Sequence, residues 1–318
     1  MKLLITGGAG YIGSHVASLA LESGHDVVVL DDLSTGISDR VPGRIHHIRM
    51  ESDEGLQQLR QLFQEERIDA VIHLAARKQV GESVAIPEVY YRDNISGLAN
   101  LLIAMREANV KKLVFSSSAA TYGMPDLEQV SEETQCSPIN PYGETKLAGE
   151  WLVRAAGSWG LAGVNLRYFN VAGSGRPELA DRVALNLIPI AIEKINAGLP
   201  VTVFGSDYPT DDGSCIRDYV HVSDLARAHL VALEYLEREK RSFDTFNVGT
   251  GVGASVFEVL EALKLASGVD FKIEVADRRA GDPPRLVANV SRIYEELGFQ
   301  SEFDLSDIVS SAWQSSRS

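Results

Sequence analysis

The sequence predicts an α/β protein, with a doubly wound parallel sheet followed by a smaller C-terminal substrate domain. Three observations carry this. Apolar strand-like runs alternate with helical patterns from residue 1 to about residue 172, which is the pattern of parallel strands joined by crossover helices. The run Ala70–Ala76 is continuously apolar rather than alternating, as expected of a strand covered on both faces. A glycine turn, Thr6-Gly7-Gly8-Ala9-Gly10-Tyr11-Ile12-Gly13, joins the first strand-like run to the first helical pattern.

Taken in order, Lys2–Ile5 reads as the first strand, and the helix opens near Ser14. In that context each glycine has a reason. Gly7 permits the tight turn, Gly10 lets backbone N–H groups approach a pyrophosphate, and Gly13 allows close packing of helix on strand. The phosphate then lies on the positive end of the helix. This is the Rossmann arrangement, whereas a lone glycine-rich turn can simply connect two elements. The second strand, Asp26–Leu30, ends at Asp31-Asp32. An acid there accepts hydrogen bonds from the adenosine ribose. A 2′-phosphate would meet the Asp31 carboxylate with no arginine close in sequence, so the expected cofactor is NAD rather than NADP.

Ile45–Ile48 reads as a third strand, and Leu56, Leu59, Leu62 and Phe63 recur at helical spacing. After the run at 70–76, a helix is expected from about Asn94, with Leu98, Leu101, Leu102 and Met105 on one face. Lys112–Phe115 is the fifth strand and opens into Ser116-Ser117-Ser118. Ligands of such sheets bind at the carboxyl ends of the strands. His73 is expected to pack beside the sheet. His46 and His47, adjacent on a strand, face opposite ways, so no metal site is expected.

Composition bounds the function. The chain has 318 residues, 45% of them hydrophobic, which is ample for a sizeable core. A net charge of −14 argues against nucleic acid or an anionic membrane as partner. Two cysteines make no disulfide framework, which fits a reducing compartment. The first residues already read as a strand, so no signal peptide is expected, and no apolar run is long enough to span a membrane. The expected location is cytoplasmic.

The chemistry is expected at Asn140-Pro141-Tyr142-Gly143-Glu144-Thr145-Lys146. Asn140 suits a helix cap and Pro141 the first helical position. Tyr142 and Lys146, four apart, then share one helix face. A free tyrosine titrates near ~10, too high for a base at neutral pH. A lysine ammonium and a cationic nicotinamide would both favour phenolate. Ser118, at the end of the fifth strand, can share a hydrogen bond with the same substrate hydroxyl. Tyrosine and lysine at this spacing are also common surface neighbours on helices; the glycine turn and the serine-rich strand end give the pair its meaning.

With these residues in view, the sequence resembles the extended short-chain dehydrogenases/reductases. Within them it is similar to the UDP-glucose 4-epimerases, also called UDP-galactose 4-epimerases. Beyond the glycine turn, Ser118, Tyr142 and Lys146, the matching stretches are Phe115–Gly123, Leu166–Gly173, Arg217–Val222, Asn247–Gly251 and Arg278–Asp282. The resemblance covers nearly the whole chain. It implies NAD contacts from Gly7, Gly10, Tyr11, Ile12, Asp31, Lys78, Asn94, Tyr142, Lys146 and Phe169. It implies that Ser118 and Tyr142 flank the sugar O4, and that Asn170, Asn186 and Leu187 touch the nucleotide sugar. Arg217, Arg279 and Asp282 would hold the diphosphate and the uridine ribose, and a guanidinium fork does match a phosphate in two places. Arg217 beside Asp218 would otherwise read as a surface ion pair.

Three departures matter. Where the family usually has Gly-Asp after the third strand, this chain has Arg49-Met50-Glu51-Ser52-Asp53, in which Glu51 is the candidate to replace the acid that meets the adenine. The serine before the lysine is Thr145, which keeps the hydroxyl. A tyrosine often found after the Arg-Arg-x-Gly-Asp stretch is Leu286, which can equally begin a strand, Leu286-Val287-Ala288, and touch no sugar.

The expected division is an NAD-binding domain at 1–172, with a return segment near 220–264 that includes a helix from Leu225 to Leu236. A nucleotide-sugar-binding domain at 173–318 follows, with the cofactor cleft between the lobes. The resemblance also implies a homodimer through the helices near Asn94 and Tyr142. Three functions compete: a UDP-hexose 4-epimerase working through a 4-keto sugar, a nucleotide-sugar dehydratase or decarboxylase, and a non-enzymatic NAD-sensing regulator. Dehydration needs an Asp-Glu pair where Ala119-Ala120 stands, and a regulator tends to lose the tyrosine or lysine, both present here.

Overall fold

A computed structural model describes residues 1–238, 243–279 and 281–317. The chain opens β1 (Lys2–Thr6), α1 (Tyr11–Glu22), β2 (Asp26–Leu30), β3 (Ile45–His46), α2 (Asp53–Glu66) and β4 (Ala70–His73). It continues through α3 (Val80–Ala85), α4 (Pro87–Tyr91), α5 (Gly97–Glu107), β5 (Lys112–Ser118), α6 (Pro141–Ala156) and β6 (Ala162–Tyr168). Then come β7 (Asn170–Ala172), α7 (Leu187–Asn196), β8 (Val201–Phe204), β9 (Ile216–His221), α8 (Val222–Arg238) and β10 (Phe243–Val248). The last elements are β11 (Gly253–Ser255), α9 (Val256–Ser267), β12 (Ile273–Ala276), β13 (Arg285–Leu286), α10 (Ser291–Leu297) and α11 (Leu305–Ser315).

A seven-stranded sheet has the order β10-β6-β5-β4-β1-β2-β3. β1 lies between β2 and β4, in parallel with both, and β2–β3 and β4–β5 are parallel too. The strand order reverses at β1, so the doubly wound expectation holds. Leu4, Val28, Val71 and Leu113 of the strands pack with Leu59, Leu62 and Phe63 of α2 and with Leu98, Leu101, Leu102 and Met105 of α5 in one core. The apolar helix faces read from the sequence are therefore the faces that are buried.

Several limits differ from the expected ones. β3 stops at His46 because β2 ends opposite it, so His47 lies beyond the strand. β4 stops at His73, opposite Thr6, the last residue of β1. Ala75 N then donates to the Thr6 side chain, not to a strand backbone. β5 runs on to Ser118, and α8 begins at Val222 rather than Leu225. A wide π turn, Arg92–Ser96, precedes α5 and holds Asn94.

The chain forms two compact units. The first comprises Met1–Thr121, Cys136–Arg167 and Ala226–Phe246; the second comprises Tyr122–Gln135, Tyr168–Leu225 and Asn247–Ser318. The segment 122–135 joins the second unit because Val130 is held on both sides by the 287–289 backbone. Within that unit β9 is central, pairing with β7, β11 and β13. Its core includes Ile188, Ile192, Val201, Tyr219, Leu260 and Ile308. No described helix is long and apolar enough to cross a membrane.

Candidate active site

The first unit builds the glycine turn. Gly7 has a φ of +71° and donates its N–H to the Leu30 carbonyl at 2.7 Å, tying the turn to β2. A Cβ on Gly13 would lie 2.1 Å from the Gly7 carbonyl oxygen, so only glycine lets α1 sit this close to the turn. Gly10 caps α1 with no side-chain hydrogen bond and no acid in the first turn. Helices α2, α6, α9 and α11, by contrast, are capped by Ser52, Asn140, Ser255 and Asp304. An N-terminus without a side-chain acceptor, behind a glycine-rich turn, suits a pyrophosphate. This is the observation by which the chain fits a dinucleotide.

Asp31 sits at the end of β2 and is 6% exposed. One carboxylate oxygen accepts from Ala9 N and the other from Leu33 N, both at 2.9 Å. Burial pushes its pKa up against those two bonds. Asp31 thus braces the glycine turn itself, a role its place in the sequence does not disclose. Each oxygen keeps a second lone pair for a ribose hydroxyl.

Asn140 caps α6, its Oδ1 accepting from Gly143 N at 2.9 Å, and Pro141 takes the first turn as expected. This places Tyr142 at the helix start, half-buried, with its phenol hydrogen-bonded to the Ser118 side chain. Lys146, one turn on, is 4% exposed and donates to the Ser116 carbonyl at 2.7 Å. Its Nζ lies 5.3 Å from the centre of the Phe115 ring and 5.9 Å from that of Tyr142. Burial brings the lysine down to about 7. Burial also pushes the Tyr142 phenol up, opposed by the Ser118 bond. The expected lowering of Tyr142 by Lys146 is therefore not what the chain alone provides: desolvation prevails, and the lysine itself is desolvated.

Other predicted residues take up supporting places in this unit. Asn94 donates to Thr145 Oγ1 at 3.0 Å and accepts from Arg77 N at 2.8 Å, joining the π turn to α6 and to the loop after β4. Thr145 uses its hydroxyl as donor to the Tyr142 carbonyl, at 2.8 Å. Lys78 is exposed in the same loop. His73 packs in the sheet as expected, 2.7 Å from Thr6 Oγ1 and stacked on Phe115. Burial first, and then the charge of Lys146, pushes its imidazole down to about 3. Glu51 pairs with Arg49 at 2.8 Å and lines a cavity of about 530 Å³ with His47, Ser52, Glu54, Gln58 and Arg92.

The second unit holds the remaining candidates. Phe169 is buried, with its N–H on the Val248 carbonyl at 3.2 Å. Asn170 is exposed at the start of β7, Asn186 is exposed as the cap of α7, and Leu187 is the first residue of that helix. Arg217 Nη1 donates to the Pro283 carbonyl at 2.7 Å, and its Nη2 lies 3.6 Å from Asp282 Oδ1. Asp282 N bonds the Arg279 carbonyl at 3.4 Å, and the Arg279 guanidinium lies 3.8 Å over the Phe204 ring. Ala280, between them in sequence, lies outside the described residues. Leu286 stands opposite Arg217 in the β13–β9 pairing, but it is the last residue of that two-residue strand rather than the first of a strand 286–288: β13 is Arg285–Leu286. The reading of Arg217 and Asp218 as a surface pair is overturned. Neighbours on a strand face opposite ways, and Asp218 is fully buried, accepting from Thr250 N, Gly251 N and Ala288 N.

Sequence reasoning did not find three contributors: the Ser116 carbonyl, Ser117, and the buried pair Glu150–Arg167. The only signal for Glu150 was its spacing, four residues beyond Lys146 on the same helix face.

Comparison with known proteins gives the family. Residues 3–249 match the model of the NAD dependent epimerase/dehydratase family. A UDP-glucose 4-epimerase of Corynebacterium glutamicum is 43% identical over 317 residues, covering 98% of this chain and 95% of that protein. A crystal structure of UDP-glucose-4-epimerase from Stenotrophomonas maltophila, with bound NAD and formylated UDP-arabinopyranose, superposes with a TM-score of 0.93. It is 40% identical and covers 100% of this chain and 98% of that one. The UDP-Glc/GlcNAc 4-epimerase of Campylobacter jejuni, also 40% identical, has a TM-score of 0.86 with 99% of each chain covered. With its glycine turn, its Ser118–Tyr142–Lys146 constellation and this match over most of its length, the chain belongs to the NAD dependent epimerase/dehydratase family.

Proposed function

We propose that the chain is an NAD-dependent 4-epimerase that interconverts UDP-glucose and UDP-galactose through a 4-keto sugar. The observation that carries this is the Tyr142 phenol, hydrogen-bonded to Ser118 at the start of α6 with Lys146 one turn below. The named relatives above support it. Gly7, Gly10, Tyr11 and Ile12 would hold the pyrophosphate, Asp31 the adenosine ribose, and Lys78, Asn94, Lys146 and Phe169 the rest of the dinucleotide. NAD held there would supply the hydride acceptor for the sugar C4 and, once reduced, the hydride donor to the opposite face of the ketone.

Tyr142 takes the O4 proton in the first half of the cycle and gives it back in the second. Ser118 fixes the phenol and shares the O4 hydrogen bond. Lys146, anchored on the Ser116 carbonyl, keeps a fixed position from which it can hold the nicotinamide ribose. Burial holds the phenol high in the chain alone, and a positive nicotinamide bound beside it would supply charge that favours phenolate. Asn170, Asn186, Leu187, Arg217, Arg279 and Asp282 would receive the nucleotide sugar. The Arg217 guanidinium, already held by a carbonyl and a carboxylate, is oriented for a diphosphate oxygen.

A dehydratase reading is weaker, since Ala119 and Ala120 form the short turn after Ser118 and carry no proton-transfer group. Leu286 stands opposite Arg217 at a position where the related family often carries a tyrosine, and leucine is the shorter side chain, so UDP-N-acetylhexosamines are included in the proposed substrate range. A homodimer through α5 and α6 fits the exposure of Ile103 and Trp151 on those helices. The test of the function is proton NMR of the purified protein with UDP-galactose and no added NAD; absence of UDP-glucose would refute it.

A further inference from the structure

Three successive serines at the end of β5 each meet one residue of a single face of α6. Tyr142, Lys146 and Glu150 are spaced by four and therefore lie in line along the helix. Ser118 bonds Tyr142 through its side chain, and the Ser116 carbonyl accepts from Lys146 at 2.7 Å. The Ser117 hydroxyl donates to Glu150 Oε1 at 2.5 Å. Behind Glu150 stands Arg167 of β6, bound through two nitrogens at 2.9 and 2.7 Å. Glu150 and Ser117 are 1% exposed and Arg167 is 6% exposed. Between Lys146 and Glu150, Gly149 allows contact: a Cβ there would fall 2.5 Å from the Phe115 ring.

We propose that the Glu150–Arg167 pair, acting through Ser117, is the positioning device that sets the register of α6 along β5 and so places Tyr142 and Lys146 for catalysis. A buried, two-nitrogen ion pair adds a geometric specificity to the register of helix on strand that apolar contacts lack. Glu150 cannot move without breaking both of its buried, charge-assisted bonds to the Arg167 guanidinium, which is strongly unfavourable. The pair touches neither cofactor nor substrate. It fixes the depth at which the two working side chains stand, and misplacement of reacting groups by about 1 Å can cost ~10²-fold in rate. The inference rests on the acid/base roles assigned to Tyr142 and Lys146 above.

The experiment compares Ser117→Ala, Glu150→Gln and the double variant Glu150→Leu/Arg167→Met. Readouts are kcat and KM for UDP-galactose, thermal midpoint, and amide hydrogen exchange along α6. Replacing both members of a buried ion pair by apolar residues is often neutral or stabilising. The double variant is therefore expected to regain the thermal midpoint lost in Glu150→Gln while kcat stays down by about tenfold or more, with KM near wild type. Ser117→Ala leaves the ion pair whole, and is expected to lower kcat several-fold without moving KM, with faster exchange in α6. Should the double variant recover kcat together with stability, or Ser117→Ala keep wild-type kcat and wild-type exchange, the pair is structural only and the inference fails. Wild-type protein is assayed alongside: if it does not turn over UDP-galactose, the function itself is wrong, whereas an active wild type with unaffected variants refutes only the positioning role.

Discussion

Lys146, only 4% exposed, donates from its Nζ to the backbone carbonyl of Ser116 at 2.7 Å. The lysine that is expected to tune Tyr142 is thus first an anchor between α6 and β5. Burial lowers its own pKa to about 7.

Tyr142→Phe is expected to lower turnover by about 10²–10⁴-fold, the usual contribution of general base catalysis. Because the glycine turn and Asp31 are untouched, NAD content after gel filtration should match wild type. Turnover within threefold or so of wild type, far inside that range, would assign the base to another residue.

Asp31→Ala removes the acceptor of Ala9 N and Leu33 N as well as the predicted ribose contact. Retention of NAD should drop and preference over NADP should relax, since no carboxylate then opposes a 2′-phosphate. Cofactor content after gel filtration, and refilling with either dinucleotide, reports both. Unchanged content together with unchanged preference removes Asp31 from the cofactor site.

Leu286 sits next to Arg217 across β13 and β9. Leu286→Tyr should lower kcat/KM for UDP-N-acetylgalactosamine relative to UDP-galactose, by a margin equivalent to about 1–3 kcal/mol, as in overpacking a core. If the ratio of the two specificity constants is the same in variant and wild type, Leu286 does not gate the sugar.

His73 is 3% exposed and stays neutral in the fold down to about pH 3, against an ordinary value of 6.5. The unfolded chain binds this proton below 6.5 and the folded chain does not, so stability falls as pH drops through that window. At about 1.4 kcal/mol per pH unit, the loss reaches about 2 kcal/mol at pH 5. The imidazole signal of His73 should not titrate between pH 8 and pH 5. A midpoint near 6.5 would show that the ring is solvated.

Much of this was legible in the sequence because local chemistry dictated it. The glycine turn, the cap at Asn140, and the apolar faces of α2 and α5 follow from short-range spacing, and tertiary packing kept them. Strand ends were less legible: β4 stops at His73 because β1 has no further residue to pair with, a fact about a neighbour rather than about residues 74–76. Asp218 read as half of a surface pair because adjacency in sequence hides the alternation of a strand. Glu150 and Arg167 were missed for a related reason. Seventeen residues apart, they meet only once α6 has packed on the sheet.

Proton NMR of the purified protein with UDP-galactose, with no NAD added, tests the central claim most directly. The anomeric signals of UDP-galactose should give way to a mixture with UDP-glucose, and acid or heat should release NAD from the same preparation. A spectrum that stays that of UDP-galactose, from folded protein carrying NAD, would contradict the account.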